Sequence, residues 1–299
     1  MTSRNTSVGR PVAAAATEET RQLALVANSI RQDIIRMLTE AKSGHPAGSL
    51  GLADVFTALY FKAMRHDPKK PEWQERDRFV LSNGHVCPVL YASLANAGYF
   101  QKEKLMTLRR LGSPLQGHPH RGSLPGIENS SGPLGQGISI AVGMALVSKR
   151  EGKSWRTYCV MGDGEMNEGQ VWEALMLAAK FKLDNLVAII DRNNIQIDGT
   201  SDDVLPLEPL AGKLRAFGWN AVELDGNDIG AIIRACESAR EPAKTTGKPT
   251  AIIAKTVPGK GVSFMEGKFE WHGKTPDAEQ SAQAIRELEE QRKKLVAGI

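Results

Sequence analysis

Two stretches decide the fold: TYCVMGDGEMNEG at residues 157–169 and LVAIIDRNNIQIDG at residues 186–199. Each begins as a short apolar run of β-forming residues and ends in Gly, Asp and Asn, the residues of tight turns. Between them, Val171–Phe181 carries its apolar residues at helical spacing. Strand, helix, strand in so short a span makes a parallel pair with a crossover helix. The texture recurs outward. RFVLS (78–82), NAVEL (220–224) and TAIIA (250–254) read as further strands, and Gly137–Lys149, Leu207–Phe217 and Asp228–Ala239 as helices. Nearly continuous apolar strands imply burial on both faces. We therefore expect an α/β fold, a mostly parallel sheet of about five or more strands with helices on both faces, whose ligands bind at the carboxyl ends of the strands.

The ends of the chain bound this unit. Residues 1–16 are small and polar, then Ala-rich, with two Arg and no acid. That shares some features of a transit peptide but develops no apolar face, so a disordered tail is expected, with one folded unit over 17–299. Thr17, followed by Glu18 and Glu19, is a helix N-cap with an acidic first turn, and Ala278–Val296 reads as an amphipathic closing helix. With 41% hydrophobic and 24% charged residues, the 299-residue chain excludes collagen-like and wholly disordered classes. Its longest apolar runs are strand-sized, so no membrane span is expected. The net charge of +4 is spread over small groups such as Lys69-Lys70 and Arg109-Arg110, which form no stripe for nucleic acid. Three scattered cysteines make no disulfide framework, which points to a reducing, cytoplasmic setting.

The chemistry concentrates in loops. In Gly162-Asp163-Gly164 two glycines let the backbone approach an anion while the carboxylate between them holds a cation, and the helix that follows offers free N–H groups. Thirty residues on, Asn193 follows the next strand. Adjacent parallel strand ends would bring Asp163 and Asn193 to one hard, oxygen-seeking cation such as Mg²⁺ or Ca²⁺. Four histidines sit in loops bounded by Gly or Pro: His45, His85, His118 and His272. Such placement suits proton transfer and hydrogen bonds to phosphate or hydroxyl oxygens. Zinc would need closer ligand spacing. His66 and His120 are assigned no role. Gly132–Gly137 is a glycine-rich turn into a helix, whereas Gly273-Lys274-Thr275 lacks the upstream glycine of a phosphate loop. No serine-hydrolase, zinc-protease or kinase motif occurs.

GDG with Asn193, together with SGHPAGSLGLAD (43–54), DRFVLSNGH (77–85), GHPH (117–120), SGPLGQG (131–137), AKTVPGKGVSF (254–264) and EWHGKTP (270–276), resembles the N-terminal part of the transketolase family, in collinear order. The resemblance implies thiamine diphosphate as cofactor. Asp163, Asn193 and the Ile195 carbonyl would hold the metal. Gly162, Gly164, His85 and His272 would lie at the diphosphate, Leu134 on the thiazolium, and the Gly132 carbonyl at the cofactor's amino group. His45, His118 and His272 would bind sugar hydroxyls and move protons, and Glu168 would join a carboxylate relay between subunits. His120 departs from the family, which has an acid there. The family's pyrimidine-binding module is absent from these residues. The chain is thus expected to be the N-terminal subunit of a two-chain transketolase rather than a fragment. It would work with a C-terminal partner subunit in an α2β2 assembly, on sugar phosphates such as xylulose 5-phosphate. The alpha subunit of a 2-oxo-acid dehydrogenase and a non-catalytic cofactor-binding homologue are the alternatives.

Overall fold

The computed structural model describes residues 17–298. The tail expected at 1–16 lies outside the described residues. Five strands form one wholly parallel sheet: β1 (Arg78–Leu81), β2 (Thr157–Gly162), β3 (Leu186–Asp191), β4 (Asn220–Asp225) and β5 (Thr250–Lys255), in the order β1-β2-β3-β5-β4. The expected strands are all present, extended by a residue or shortened by one at their ends.

Apolar runs without alternation arise because both faces are covered. Val187 and Ile189 of β3 join a core with Leu23, Ile30 and Ile34 of helix α1 (Glu18–Ala41) and with Ile232 and Leu288 of later helices. Leu186, Ala188 and Ile190 join the opposite core, with Ile138 and Val142 of a helix at Gln136–Arg150 and Val171 and Leu175 of a helix at Gly169–Lys180. Between α1 and that fifth helix run α2 (Pro46–Gly51), α3 (Ala53–Ala58) and α4 (Cys87–Ala97), so Gln136–Arg150 and Gly169–Lys180 are α5 and α6. β4 departs from the expectation of two-sided burial. It is one of the two edge strands, and Val222 at its centre is 42% exposed. Its charge pair, Glu223 with Lys255 at 2.9 Å, is the polar edge such a strand tolerates.

Local chemistry sets the boundaries. The Thr17 hydroxyl accepts the Thr20 N–H at the start of α1, as the sequence indicates. The helix expected over Leu207–Phe217 runs only Leu210–Ala216, because Pro209 keeps the residues before it extended. The closing helix, Ala278–Ala297, starts in a capping box of Asp277 and Gln280 and packs on α1 through Ala284 and Leu288. No described helix is long and apolar enough to cross a membrane.

Candidate active site

Register explains why the nominated residues meet. Gly162 of β2 lies opposite Asp191 of β3, so the next residues of both strands leave the sheet side by side. The Asp163 N–H bonds the Asp191 carbonyl at 3.1 Å, and the Asn194 N–H bonds Asp163 Oδ2 at 2.7 Å. Asp163 then caps a short turn over Gly164–Asn167, which intervenes before α6; its Oδ1 accepts the Gly164 N–H at 2.8 Å. The Asn193 amide is oriented from both ends. Its Nδ2 donates to Asp191 Oδ2 at 2.7 Å, and its Oδ1 accepts the Ile195 N–H at 3.0 Å.

A cleft of about 420 Å³ opens over these strand ends. Every residue nominated from the sequence except Glu168 lines it: Asp163, Asn193, Ile195, Gly162, Gly164, Gly132, Leu134 and the histidines 45, 85, 118 and 272. Glu168 stands outside as the exposed N-cap of α6. Among the described residues no group of three or more His, Cys, Asp or Glu side chains is arranged to hold a metal. A cation at Asp163 would therefore have to draw on amide and carbonyl oxygens as well, the donors a hard ion takes.

Three imidazoles form one cluster. Ring centres lie 5.0 Å apart for His45 and His85, 5.2 Å for His85 and His272, and 5.5 Å for His45 and His272. Burial, reinforced by His272, Arg109 and His118, lowers the His45 pKa to about 4. Burial first, and then the neighbouring histidines, pushes His85 well down, and burial lowers His272. His118, at the exposed mouth, is lowered by burial and by Arg109. Burial and mutual proximity thus favour the neutral form of the imidazoles in this cluster. Gly132, at φ 147°, holds a backbone conformation that side chains rarely adopt, and a Cβ added there would lie 3.7 Å from the His118 ring. His66 is structural, as expected: its two ring nitrogens meet the Tyr99 hydroxyl and the Tyr60 carbonyl.

Several residues gained their place only from the structure. Glu165, buried beneath the cleft, accepts the Gly135 N–H at 2.6 Å, the Gly162 N–H at 3.1 Å and the Ser82 hydroxyl, tying three loops together. Its position inside GDGE was the available signal. Gly137 lets α5 approach Ser82 closely, since a Cβ there would lie 2.5 Å from the Ser82 side chain. Asp191, buried beside Asp163, has its pKa raised to about 7 by burial. Arg109 is not a plain surface cation. It reaches the Ser43 hydroxyl at 2.9 Å and lends positive charge to His45 and His118. Arg192 pairs with Asp163 at 2.9 Å, a partner the spacing argument did not anticipate.

Residues 22–294 match the domain described as transketolase, thiamine diphosphate binding domain. The chain belongs to the transketolase family. It is 44% identical over 273 residues to one subunit of the apulose-4-phosphate transketolase of Phocaeicola vulgatus, covering 91% of this chain and 96% of that one. A 6-deoxy-6-sulfo-D-fructose transketolase subunit of Clostridium sp. is also 44% identical, over 89% of this chain and 95% of its own length. Human transketolase is 40% identical, but the match covers 91% of this chain and only 43% of the human one. A transketolase from Pichia stipitis, crystallised with fructose 6-phosphate, superposes with a TM-score of 0.81 at 34% identity, over 93% of this chain and 44% of that chain. This transketolase-family chain thus spans nearly all of some relatives and under half of others.

A second hollow, of about 470 Å³, lies at the amino ends of β4 and β5. Arg215, Lys244 and Lys248 line it, and it contains none of the transketolase motifs.

Proposed function

We propose that this chain is the diphosphate-binding subunit of a two-chain transketolase, which moves a two-carbon ketol unit from a ketose phosphate to an aldose phosphate. One observation carries the reading: the His45–His85–His272 cluster and the Asp163–Asn193 oxygen donors face a single cleft. The cleft also has the polarity of a ligand site. His45 Nδ1, Asn83 Oδ1 and Gln196 Nε2 are buried with no hydrogen-bond partner, and all three residues line it. Such groups cost free energy unless a ligand or water meets them.

When bound, thiamine diphosphate supplies a nucleophilic carbon that takes up and releases the ketol unit. Asp163, Asn193 Oδ1 and the Ile195 carbonyl would hold Mg²⁺ or Ca²⁺. The Gly164 N–H, His85 and His272 would bind the diphosphate, Leu134 would cover the thiazolium, and the Gly132 carbonyl would accept from the amino group. His45, neutral at working pH, would take the proton of a sugar hydroxyl. His118, at the mouth, would bind substrate hydroxyls. Glu168, outside the cleft, is free for a carboxylate contact with a second subunit.

A partner has a surface to meet. Ile140 and Val147 of α5 and Met176 and Leu177 of α6 are exposed apolar residues on adjacent helices that begin beside the cleft. A C-terminal subunit bringing the pyrimidine-binding module would seat there, in an α2β2 assembly.

The test is reconstitution. The chain and a co-purifying partner should together transfer a two-carbon unit from xylulose 5-phosphate to an aldose phosphate, and the purified chain alone should not. Turnover by the chain alone would refute the two-chain reading. Decarboxylation of pyruvate in place of ketol transfer would move the assignment to the 2-oxo-acid dehydrogenases.

A further inference from the structure

Arg192 leaves the end of β3 and buries its guanidinium to 7% exposure among four acceptors. Nη1 donates to Asp163 Oδ2 at 2.9 Å and to Asn194 Oδ1 at 3.1 Å. Nη2 donates to Asp202, and Nε to Glu208 at 3.3 Å. The two outer carboxylates are 45% and 57% exposed, whereas Asp163 is 2% exposed. One cation is therefore shared between an inner carboxylate at the cleft and two outer ones on the segment that follows.

Arg192 is not needed to orient Asp163. The Gly164 and Asn194 N–H groups already fix its two oxygens. What Arg192 adds is positive charge, in contact with the carboxylate assigned above to a divalent ion. Two cations drawing on one carboxylate repel each other. The outer pair gives the guanidinium a second seat, and its fork of donors can keep Asp202 and Glu208 while releasing Asp163.

We propose that Arg192 is a built-in counterion that competes with the divalent cation for Asp163, with Asp202 and Glu208 drawing it outward as the cation enters. The proposal rests on Asp163 being a cation ligand. It makes Arg192 a positioning residue that lowers cation affinity. It also links cation loading to the segment through residue 208, whose Gln196, Ile197 and Asp198 wall the cleft.

The experiment is a titration of the full chain with Mn²⁺ alone, reading free ion by electron paramagnetic resonance. Arg192→Gln should lower the dissociation constant about tenfold by removing the like charge, and Arg192→Lys should stay near the parent value. Removing the outer seat has the opposite sign: Asp202→Asn with Glu208→Gln, both on exposed side chains, should weaken binding about threefold. That loss should disappear when Arg192→Gln is added, because the outer carboxylates act through Arg192. Unchanged or weaker binding by a folded Arg192→Gln chain overturns the proposal. So does an outer-pair loss that persists without Arg192; should Arg192→Gln fail to fold, unchanged or tighter binding by Asp202→Asn with Glu208→Gln in the parent background overturns it instead. A parent chain whose Mn²⁺ binding ignores Asp163→Ala would instead overturn the reading of the cation site itself.

Discussion

Asp77 and Asp163 are each 2% exposed, one at each end of the sheet, yet the structure uses them differently. At the amino end, Asp77 accepts the backbone N–H groups of Arg65 and Arg156 at 2.8 Å each and pairs with the Arg240 guanidinium. It joins the start of β1 to its surroundings and lines neither the cleft nor the hollow at the amino ends of β4 and β5. At the carboxyl end, Asp163 is just as well held, but around it stand His45, Asn83 and Gln196 with buried atoms that lack partners. Orphan atoms occur elsewhere, as at Thr157 Oγ1 and the Tyr158 hydroxyl, and neither of those lines the cleft. A hollow of comparable volume lies at the amino end as well. Neither buried charge nor hollow volume marks function here. Convergence of unsatisfied polar groups on one cleft does.

The sharpest way to break this contrast is to remove each carboxylate. Asp163→Ala should weaken Mg²⁺-dependent thiamine diphosphate binding by about 100-fold or more, since on the proposed assignment it removes the one charged ligand. Tryptophan quenching on cofactor titration would measure it, and retained binding would end the metal assignment. Asp77→Ala should leave cofactor affinity within about twofold but destabilise the chain by about 3 kcal/mol in urea unfolding. The lower end of the buried-pair range applies because Arg65 and Arg240, 40% and 28% exposed, can be partly rehydrated. A stable Asp77→Ala chain with impaired cofactor binding would invert the comparison.

How much of this was legible in the sequence follows the same division. The strands, the parallel sheet and the Asp163–Asn193 pair could be read because buried strands leave continuous apolar runs and strand-end loops leave Gly, Asp and Asn, whereas Gly132, Leu134 and Ile195 came only with the family resemblance. What escaped depends on three-dimensional partnership. Val222 looks like any strand residue until β4 takes the edge, and Arg109 looks like a surface cation until its turn, at φ 60°, directs it to Ser43. Glu165 and Arg192 sit inside the recognised motifs, but nothing in the spacing says that one ties three loops together and the other pairs with Asp163.

Protonation sharpens the contrast further. His45, with a folded pKa of about 4 against an ordinary value of 6.5, binds fewer protons folded than unfolded between those limits. Stability therefore falls as pH drops through that window. Asp191, raised to about 7, works the other way: its contribution is lost as pH rises from the usual carboxylate range toward 7. The two overlap, so the difference between the parent and His45→Gln isolates the imidazole. His45→Gln should lose less stability between pH 6.5 and pH 4 than the parent, measured by urea midpoints at each pH. Equal slopes would mean that His45 takes up its proton in the folded chain at the ordinary imidazole pH.

The smallest effect on the chain itself should come from its apolar outer face. Met176 and Leu177 are 53% and 44% exposed, and Ile140 and Val147 stand on the neighbouring helix. Exposed side chains carry little of the folding free energy, so Ile140→Glu with Leu177→Glu should change unfolding stability by no more than about 0.5 kcal/mol per site. The same pair should abolish co-purification of the partner subunit, because two carboxylates would be desolvated at the centre of the interface. Stability and association would then separate, as stability and cofactor binding separate between Asp77 and Asp163. If the double variant still captured its partner at parent yield, the α5–α6 face would not be the docking surface. The second subunit would then have to meet the cleft from the side of His118 and the residues that follow Asn193.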